Sequence, residues 1–339
     1  MINQKTIKIN ITTVITILLL SLFSVNVEAQ FTTNKLADDH YEIVLDKSIT
    51  DSIRILQVTD LHLGHSERWR DDLNTFNRIK KLVEMYNPDL IFVTGDLFTT
   101  SKPIGNLLSI FSVNFFDGFE RPWFYVFGNH DAAGDYGKDA VYNVFKSSEW
   151  GILGYHGSGE QKKYDYYVDI KVNDGNPPNW QVFAIDTGPH DGIKATQPDQ
   201  IDWYKNISKQ TKEKYNKTIR AVSIFHIPVI QYQELWNDES IEKSGVSEEK
   251  VYYEEDDGTL YNAFVEMGNV EATFCGHDHY NNYWGKYIGG IILAYGYISG
   301  EATKEAWPTG GKLITLPIDK GEIGIKNVVP IFEEDEHQY

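Results

Sequence analysis

Ile53-Arg54-Ile55-Leu56-Gln57-Val58-Thr59-Asp60-Leu61-His62 is the stretch that decides the fold. Ile53–Val58 is a short apolar run that reads as a buried strand, and it ends at once in an aspartate and a histidine. The same sequence of events recurs down the chain. Leu90–Val93 leads into Gly95-Asp96, Pro122–Phe127 into Gly128-Asn129-His130-Asp131, Ile219–Phe225 into His226, and Val270–Cys275 into Gly276-His277-Asp278-His279. Amphipathic stretches lie between these runs. Asp71–Tyr86 reads as a helix with Leu73, Phe76, Ile79, Leu82 and Val83 on one face, stopped by Asn87-Pro88. Lys163–Val172 and Trp180–Ile185 read as a strand pair, Pro198–Glu213 and Leu260–Met267 as helices, and further strands run through Ile288, Ile291–Tyr295 and Leu313–Leu316. This alternation is the mark of an α/β fold, and 339 residues suit one large domain over residues 30–339.

Each polar cluster sits where an expected strand ends. Open α/β sheets bind ligands outside the carboxyl ends of their strands, so the five clusters should converge on one site. Taken singly each is weak: an Asp-x-His after a strand is commonly a cap, and a lone histidine is commonly hydrogen-bonded structure. Together their residue types suit a pair of metal ions. Two ions about 3.5–4 Å apart need a bridging ligand, which a carboxylate can supply. Imidazoles suit iron, zinc and manganese, and Asp and Asn oxygens complete the harder positions. Alternate residues of His277-x-His279 can point at different ions.

These five motifs, in this order from about Ile53 to Leu316, resemble the calcineurin-like metallophosphoesterase superfamily. The resemblance implies a four-layer α-β-β-α sandwich. It implies one ion held by Asp60, His62, Asp96 and His279, and a second held by Asp96, Asn129, His226 and His277, with Asp96 as the bridge. His130 would face the scissile group and Asp131 would orient it. Phe183–Gly188, Phe225–Pro228 and Phe274–Trp284 are similar to a narrower group, purple acid phosphatase-like proteins with Asp-Leu-His in the first motif. True purple acid phosphatases carry a tyrosine three residues after the bridging aspartate. This chain has Thr99 there, so the iron-tyrosinate colour should be absent and the metals are open among Fe, Zn and Mn.

Hydrolysis of phosphate monoesters by a metal-bound hydroxide is the activity implied, with Asn129 stabilising phosphoryl charge and His130 protonating the leaving oxygen. A phosphodiesterase or nucleotide pyrophosphatase would use the same ligands, and a binding protein on an inactive scaffold is the rival outside enzymes. The substrate would be a phosphorylated small molecule or a phosphoprotein. His65, Arg68 and Arg70 follow the first motif, where an Arg could clamp phosphate, although solvated loop residues are commoner. Asp278 could support a ligand histidine, and Trp69, Trp236, Tyr295 and Tyr297 could line a pocket or simply fill the core. His156 and His190 have no motif around them and read as non-catalytic.

A net charge of -18 argues against a nucleic-acid-binding surface or an anionic-membrane partner. The single Cys275 allows no internal disulfide and reads as buried packing. Lys5 and Lys8, an apolar run Ile11–Phe23 and the small-residue Val27-Glu28-Ala29 read as a signal peptide over residues 1–29. The run is too short for a comfortable bilayer crossing, so an exported protein without stable membrane insertion is expected: extracellular, periplasmic or lumenal. Asn206 and Asn216 lie in sequons, relevant only in a eukaryotic host. Residues 238–258 carry nine acidic residues against Lys243 and Lys250, and read as an acidic insertion, either a solvated loop or a lid.

Overall fold

A computed structural model describes residues 31–45, 51–65, 69–99, 104–131, 137–173, 175–188, 195–303 and 307–332. The expected signal peptide, Arg68 and His190 lie outside the described residues. The described residues open with an antiparallel pair, β1 (Phe31–Lys35) and β2 (His40–Leu45), and continue with β3 (Ser52–Val58), α1 (Trp69–Tyr86), β4 (Leu90–Val93) and α2 (Ile104–Asp117). Then come β5 (Trp123–Tyr125), α3 (Gly137–Phe145), β6 (Gly151–Ile152), β7 (Tyr166–Val172) and β8 (Trp180–Ala184). Next are α4 (Pro198–Tyr215), β9 (Ala221–Ile224), α5 (Gln231–Asn237), β10 (Lys243–Ser244), α6 (Thr259–Met267) and β11 (Val270–Cys275). β12 (Trp284–Lys286), β13 (Ile292–Tyr295), β14 (Gly311–Pro317) and β15 (Gly324–Val328) close it.

The strands form two sheets. One runs β15-β14-β3-β4-β5-β6, the other β1-β2-β7-β8-β9-β11-β13-β12-β10. Strands β3, β4 and β5 are parallel, as are β9 and β11. Leu90–Val93 of β4 and Trp123–Tyr125 of β5 are unbroken apolar runs, buried throughout, because both faces of these strands are covered. On β8, Val182 and Ala184 join the core between the sheets, while Phe183 joins the core under the helices. Phe92 of one sheet meets Phe274 of the other at 6.5 Å between ring centroids. Phe116 of α2 stacks on Trp123 of β5, covering the first sheet, and Tyr204 of α4 and Phe264 of α6 join the second sheet's outer core. Helices thus flank two stacked sheets: the four-layer α-β-β-α sandwich.

The layers are cross-tied near one end. The Gln57 amide donates to the Cys275 carbonyl and the Thr94 hydroxyl, both at 2.9 Å, linking β3, β11 and the loop after β4. The strand ends carrying the polar clusters are therefore held together from both sheets.

The structure adds to or departs from the sequence reading at three points. Leu73 is 46% exposed, and Thr75 takes the buried place on α1, where its hydroxyl accepts from the Glu301 N–H. The β1–β2 pair and α2 have no counterpart in the sequence reading. Residues 238–258 are mostly exposed, as a surface insertion would be, yet they are fastened: Val251 is buried, and β10 pairs with β12. Trp236 and Tyr295 are packing residues, each against Tyr283. Asn206 and Asn216 are both exposed, and Asn216 ends α4 in the left-handed conformation.

Candidate metal centre

Five loops meet at the carboxyl ends of β3, β4, β5, β9 and β11. Asp60, His62 and His277 and Asp96 all have positive φ, between 47° and 81°, which turns their side chains inward. Each such residue costs about 1–3 kcal/mol unless its surroundings fix it. Here backbone bonds between loops do so: Asp60 N–H to Gly95 O (3.1 Å), His62 N–H to Asp96 O (3.0 Å) and Gly276 N–H to His226 O (3.1 Å). Two glycines allow the close approach. A Cβ on Gly128 would lie 2.1 Å from Asp96 Oδ1, and one on Gly95 would lie 2.4 Å from His226 Nδ1.

Two groups of metal-ligating type result, Asp60-His62-His279 and Asp96-His226-His277. In the first, His62 Nε2 and His279 Nε2 face each other at 3.0 Å, with Asp60 Oδ1 3.6 Å from His279 Nε2. Ring nitrogens aimed at one another beside a carboxylate suit a cation between them. In the second, His226 Nε2 lies 3.2 Å from Asp96 Oδ2 and 3.1 Å from Asn129 Oδ1. Asp96 serves both. Its Oδ1 accepts the His130 backbone N–H at 2.9 Å, leaving Oδ2 3.6 Å from His62 Nε2 and 3.2 Å from His226 Nε2. One oxygen between two clusters is the position a bridging ligand needs.

The electrostatics suit this donor set. Burial works against charge on Asp60 and Asp96, but the nearby histidines outweigh it and hold both carboxyls below their ordinary range. Burial pushes His62 down to about 4 and His277 to about 3, so both are neutral donors at pH 7. Burial opposes charge on His226 as well, yet Asp96 prevails and lifts it to about 10. A cation at that site would displace a proton. The residues fit a pair of metal ions.

Outer partners aim the rings. Thr99, the residue in place of the chromophore tyrosine, puts its hydroxyl 2.7 Å from His62 Nδ1, which leaves Nε2 facing inward. The Thr94 carbonyl does the same for His226 Nδ1 at 2.8 Å. A backbone carbonyl carries no sequence signal, and threonine at position 99 shows its use only once folded.

The structure corrects two supporting roles. The Asp131 carboxylate does not hold the His130 ring; it accepts backbone N–H groups of Phe98 (3.1 Å) and Gly128 (2.7 Å) and so braces the third loop. Burial beside Asp96 raises its pKa to about 7. Asp278 touches no histidine: it accepts from Tyr295 OH (2.6 Å) and the Tyr252 N–H (3.1 Å). The His130 ring is 44% exposed and its Nε2 is 4.0 Å from Asp96 Oδ2, at the mouth. His65 lies beside His62 at 6.1 Å between rings, while Arg70 and Trp69 are exposed on α1. Tyr297 lies beside Trp307 at 6.3 Å. His156 is paired with Asp165 at 2.8 Å and stacked on Trp203, a structural arrangement.

The family model for calcineurin-like phosphoesterases matches residues 53–281, which include every ligand candidate. The chain belongs to that family. Family members act on phosphorylated substrates and bind metal. Within the calcineurin-like phosphoesterases this chain groups with purple acid phosphatase-like proteins. A protein of Arabidopsis thaliana named "Probable inactive purple acid phosphatase 28" is 26% identical over 309 residues, covering 80% of this chain and 76% of its own length. "Probable inactive purple acid phosphatase 29" of the same plant is 23% identical over 317 residues, covering 82% and 80%. The purple acid phosphatase PPD1 of yellow lupin, Lupinus luteus, aligns in structure with a TM-score of 0.48 at 14% identity, covering 86% of this chain and 54% of that one.

Proposed function

We propose that this chain hydrolyses phosphate monoesters at a dinuclear centre, one ion on Asp60, His62, Asp96 and His279, the other on Asp96, Asn129, His226 and His277. The observation that carries the reading is the single Asp96 oxygen placed between two converging ligand clusters. Iron, zinc and manganese all suit this set of imidazoles and oxygens. When bound, such a pair supplies Lewis-acid charge and a water acidified enough to attack phosphorus at neutral pH. The chain's own residues do the rest. Asn129 turns Oδ1 toward His226, which leaves its amide N–H groups to donate to a phosphoryl oxygen. His130, half-exposed at the mouth, donates a proton to the departing oxygen. Asp131 holds the backbone that carries both.

Metal content measured alongside turnover of p-nitrophenyl phosphate and its bis-ester tests this. Two ions per chain and faster monoester turnover are expected. Faster bis-ester turnover would make it a diesterase instead. The second reading is a binding protein on an inactive scaffold, the condition that the names of the two Arabidopsis relatives above assign to those proteins. A metal-loaded protein that turns over neither ester, nor a panel of phosphorylated sugars, nucleotides, lipids and peptides, would favour that binding role.

Export belongs to the same proposal. It is supported by the leader-like residues 1–29. N-terminal sequencing of the secreted protein should begin at Gln30. The net charge of -18 favours small phosphorylated substrates or phosphoproteins over nucleic acid, and no described helix is long and apolar enough to cross a membrane.

A further inference from the structure

The acidic segment 238–258 is an arm fastened along the loop that carries His277 and His279. Its β10 pairs antiparallel with β12, Lys243 opposite Gly285 and Ser244 opposite Trp284. Beyond β10 the pairing continues irregularly: Asn282 N–H to Val246 O (3.0 Å), Glu248 N–H to Tyr280 O (2.9 Å), and Tyr280 N–H to the Glu249 carboxylate. The Tyr252 N–H reaches Asp278, and Val251 is buried. At its far end Asp256 accepts from the Ile230 N–H (2.8 Å) and the Gly258 N–H (3.0 Å), tying the arm to the start of α5. Between these anchorages Glu254, at φ 53°, sets its Oε1 3.5 Å from His277 Nε2.

An imidazole that binds metal through one nitrogen carries its proton on the other, and a partner there fixes the tautomer and the ring's direction. His62 and His226 already show this arrangement, through Thr99 and the Thr94 carbonyl. At His277 the nitrogen turned to Glu254 is Nε2, which leaves Nδ1 for an ion. We propose that Glu254 is the positioning residue of His277: its carboxylate accepts the Nε2–H and so presents Nδ1 to the ion shared with Asp96, Asn129 and His226. The inference rests on the dinuclear-centre reading. It gives the acidic arm a role that a solvated loop or a mobile lid would not have, since a fixed arm delivers one carboxylate to one ligand.

Zn2+ titration of the full chain against a competing chelator tests it, with wild type, Glu254→Ala and Glu254→Gln compared. Wild type should show two dissociation constants. Glu254→Ala should weaken one of them about 10–100-fold and leave the other unchanged, the usual effect of removing a carboxylate behind a ligand histidine. Glu254→Gln should lose less, because its carbonyl still accepts the Nε2–H. Turnover of p-nitrophenyl phosphate at limiting Zn2+ should fall in kcat with KM held. Unchanged zinc affinity in Glu254→Ala overturns the proposal, as do equal losses in the Ala and Gln variants. A rise in KM alone overturns it too, making Glu254 a substrate contact. Wild-type protein that takes up no zinc would instead refute the metal-centre reading itself, before any variant is compared.

Discussion

Asp96 offers the sharpest test of the centre because its two oxygens do separate jobs. Oδ1 accepts the His130 N–H at 2.9 Å, and Oδ2 lies between His62 and His226. Two substitutions separate these jobs. Asp96→Asn keeps an acceptor for the His130 N–H, but removes the charge and places an amide nitrogen where a cation needs an oxygen. Asp96→Ala removes both. Losing a mere outer partner of a ligand costs about 10–100-fold in metal affinity. A shared ligand should therefore cost about 100-fold or more at both sites, in both variants. The Ala variant also removes the acceptor of the His130 N–H, a part-buried hydrogen bond to a carboxylate whose net worth is about 1.5–3 kcal/mol. With metal removed from all samples, Asp96→Ala should melt a few degrees below Asp96→Asn. Elemental analysis after equilibrium dialysis reads the first effect and calorimetry of chelated protein the second. His279→Ala is the control and should empty one site only. Two full ions retained by Asp96→Asn, or a loss confined to one site, would refute the bridge.

Three further outcomes follow from the same geometry. His130→Ala should keep both ions and lose about 10²–10⁴-fold on alkyl phosphates, whose leaving oxygen needs a proton, with a clearly smaller loss on p-nitrophenyl phosphate; equal losses would make it an electrostatic group instead. Iron-loaded protein should show no tyrosinate-to-iron band, because Thr99 replaces the tyrosine and its hydroxyl is already beside His62 Nδ1, so a strong purple absorption would sink that assignment. Gly128→Ala should lose metal at both sites, since the new Cβ would sit 2.1 Å from Asp96 Oδ1; unchanged metal content would mean the third loop yields without moving the carboxylate.

What was legible in the sequence is what repeats locally. An apolar run that ends in Asp60-Leu61-His62 or Gly276-His277-Asp278-His279 announces both a strand and the residues at its tip. These runs account for the five strands that bear the ligands. Contacts between distant segments leave no such mark. Leu73 fits the helical stripe yet is exposed, because Thr75 meets the loop at Glu301 instead. Asp131 stands next to His130 in sequence, but its carboxylate turns to the backbone of Phe98 and Gly128. Nine acidic residues in 238–258 read as solvated charge, and the backbone pairing with residues 280–285 that fastens them cannot be seen in composition.

The same distinction bears on activity. Asp96 can bridge only because Gly128 leaves room beside it and the His130 N–H occupies its other oxygen. His62 presents Nε2 because Thr99 stands behind Nδ1. A relative could keep every aspartate and histidine of the five motifs and still lose the centre by changing one of these supports. It could also change a motif residue outright. The word "inactive" in a relative's name therefore does not transfer to this chain on 26% identity, and a complete set of motif letters does not by itself carry activity. Activity depends on the supports as much as on the ligands, and in this chain Thr99, Gly128 and the Thr94 carbonyl stand where the ligands need them.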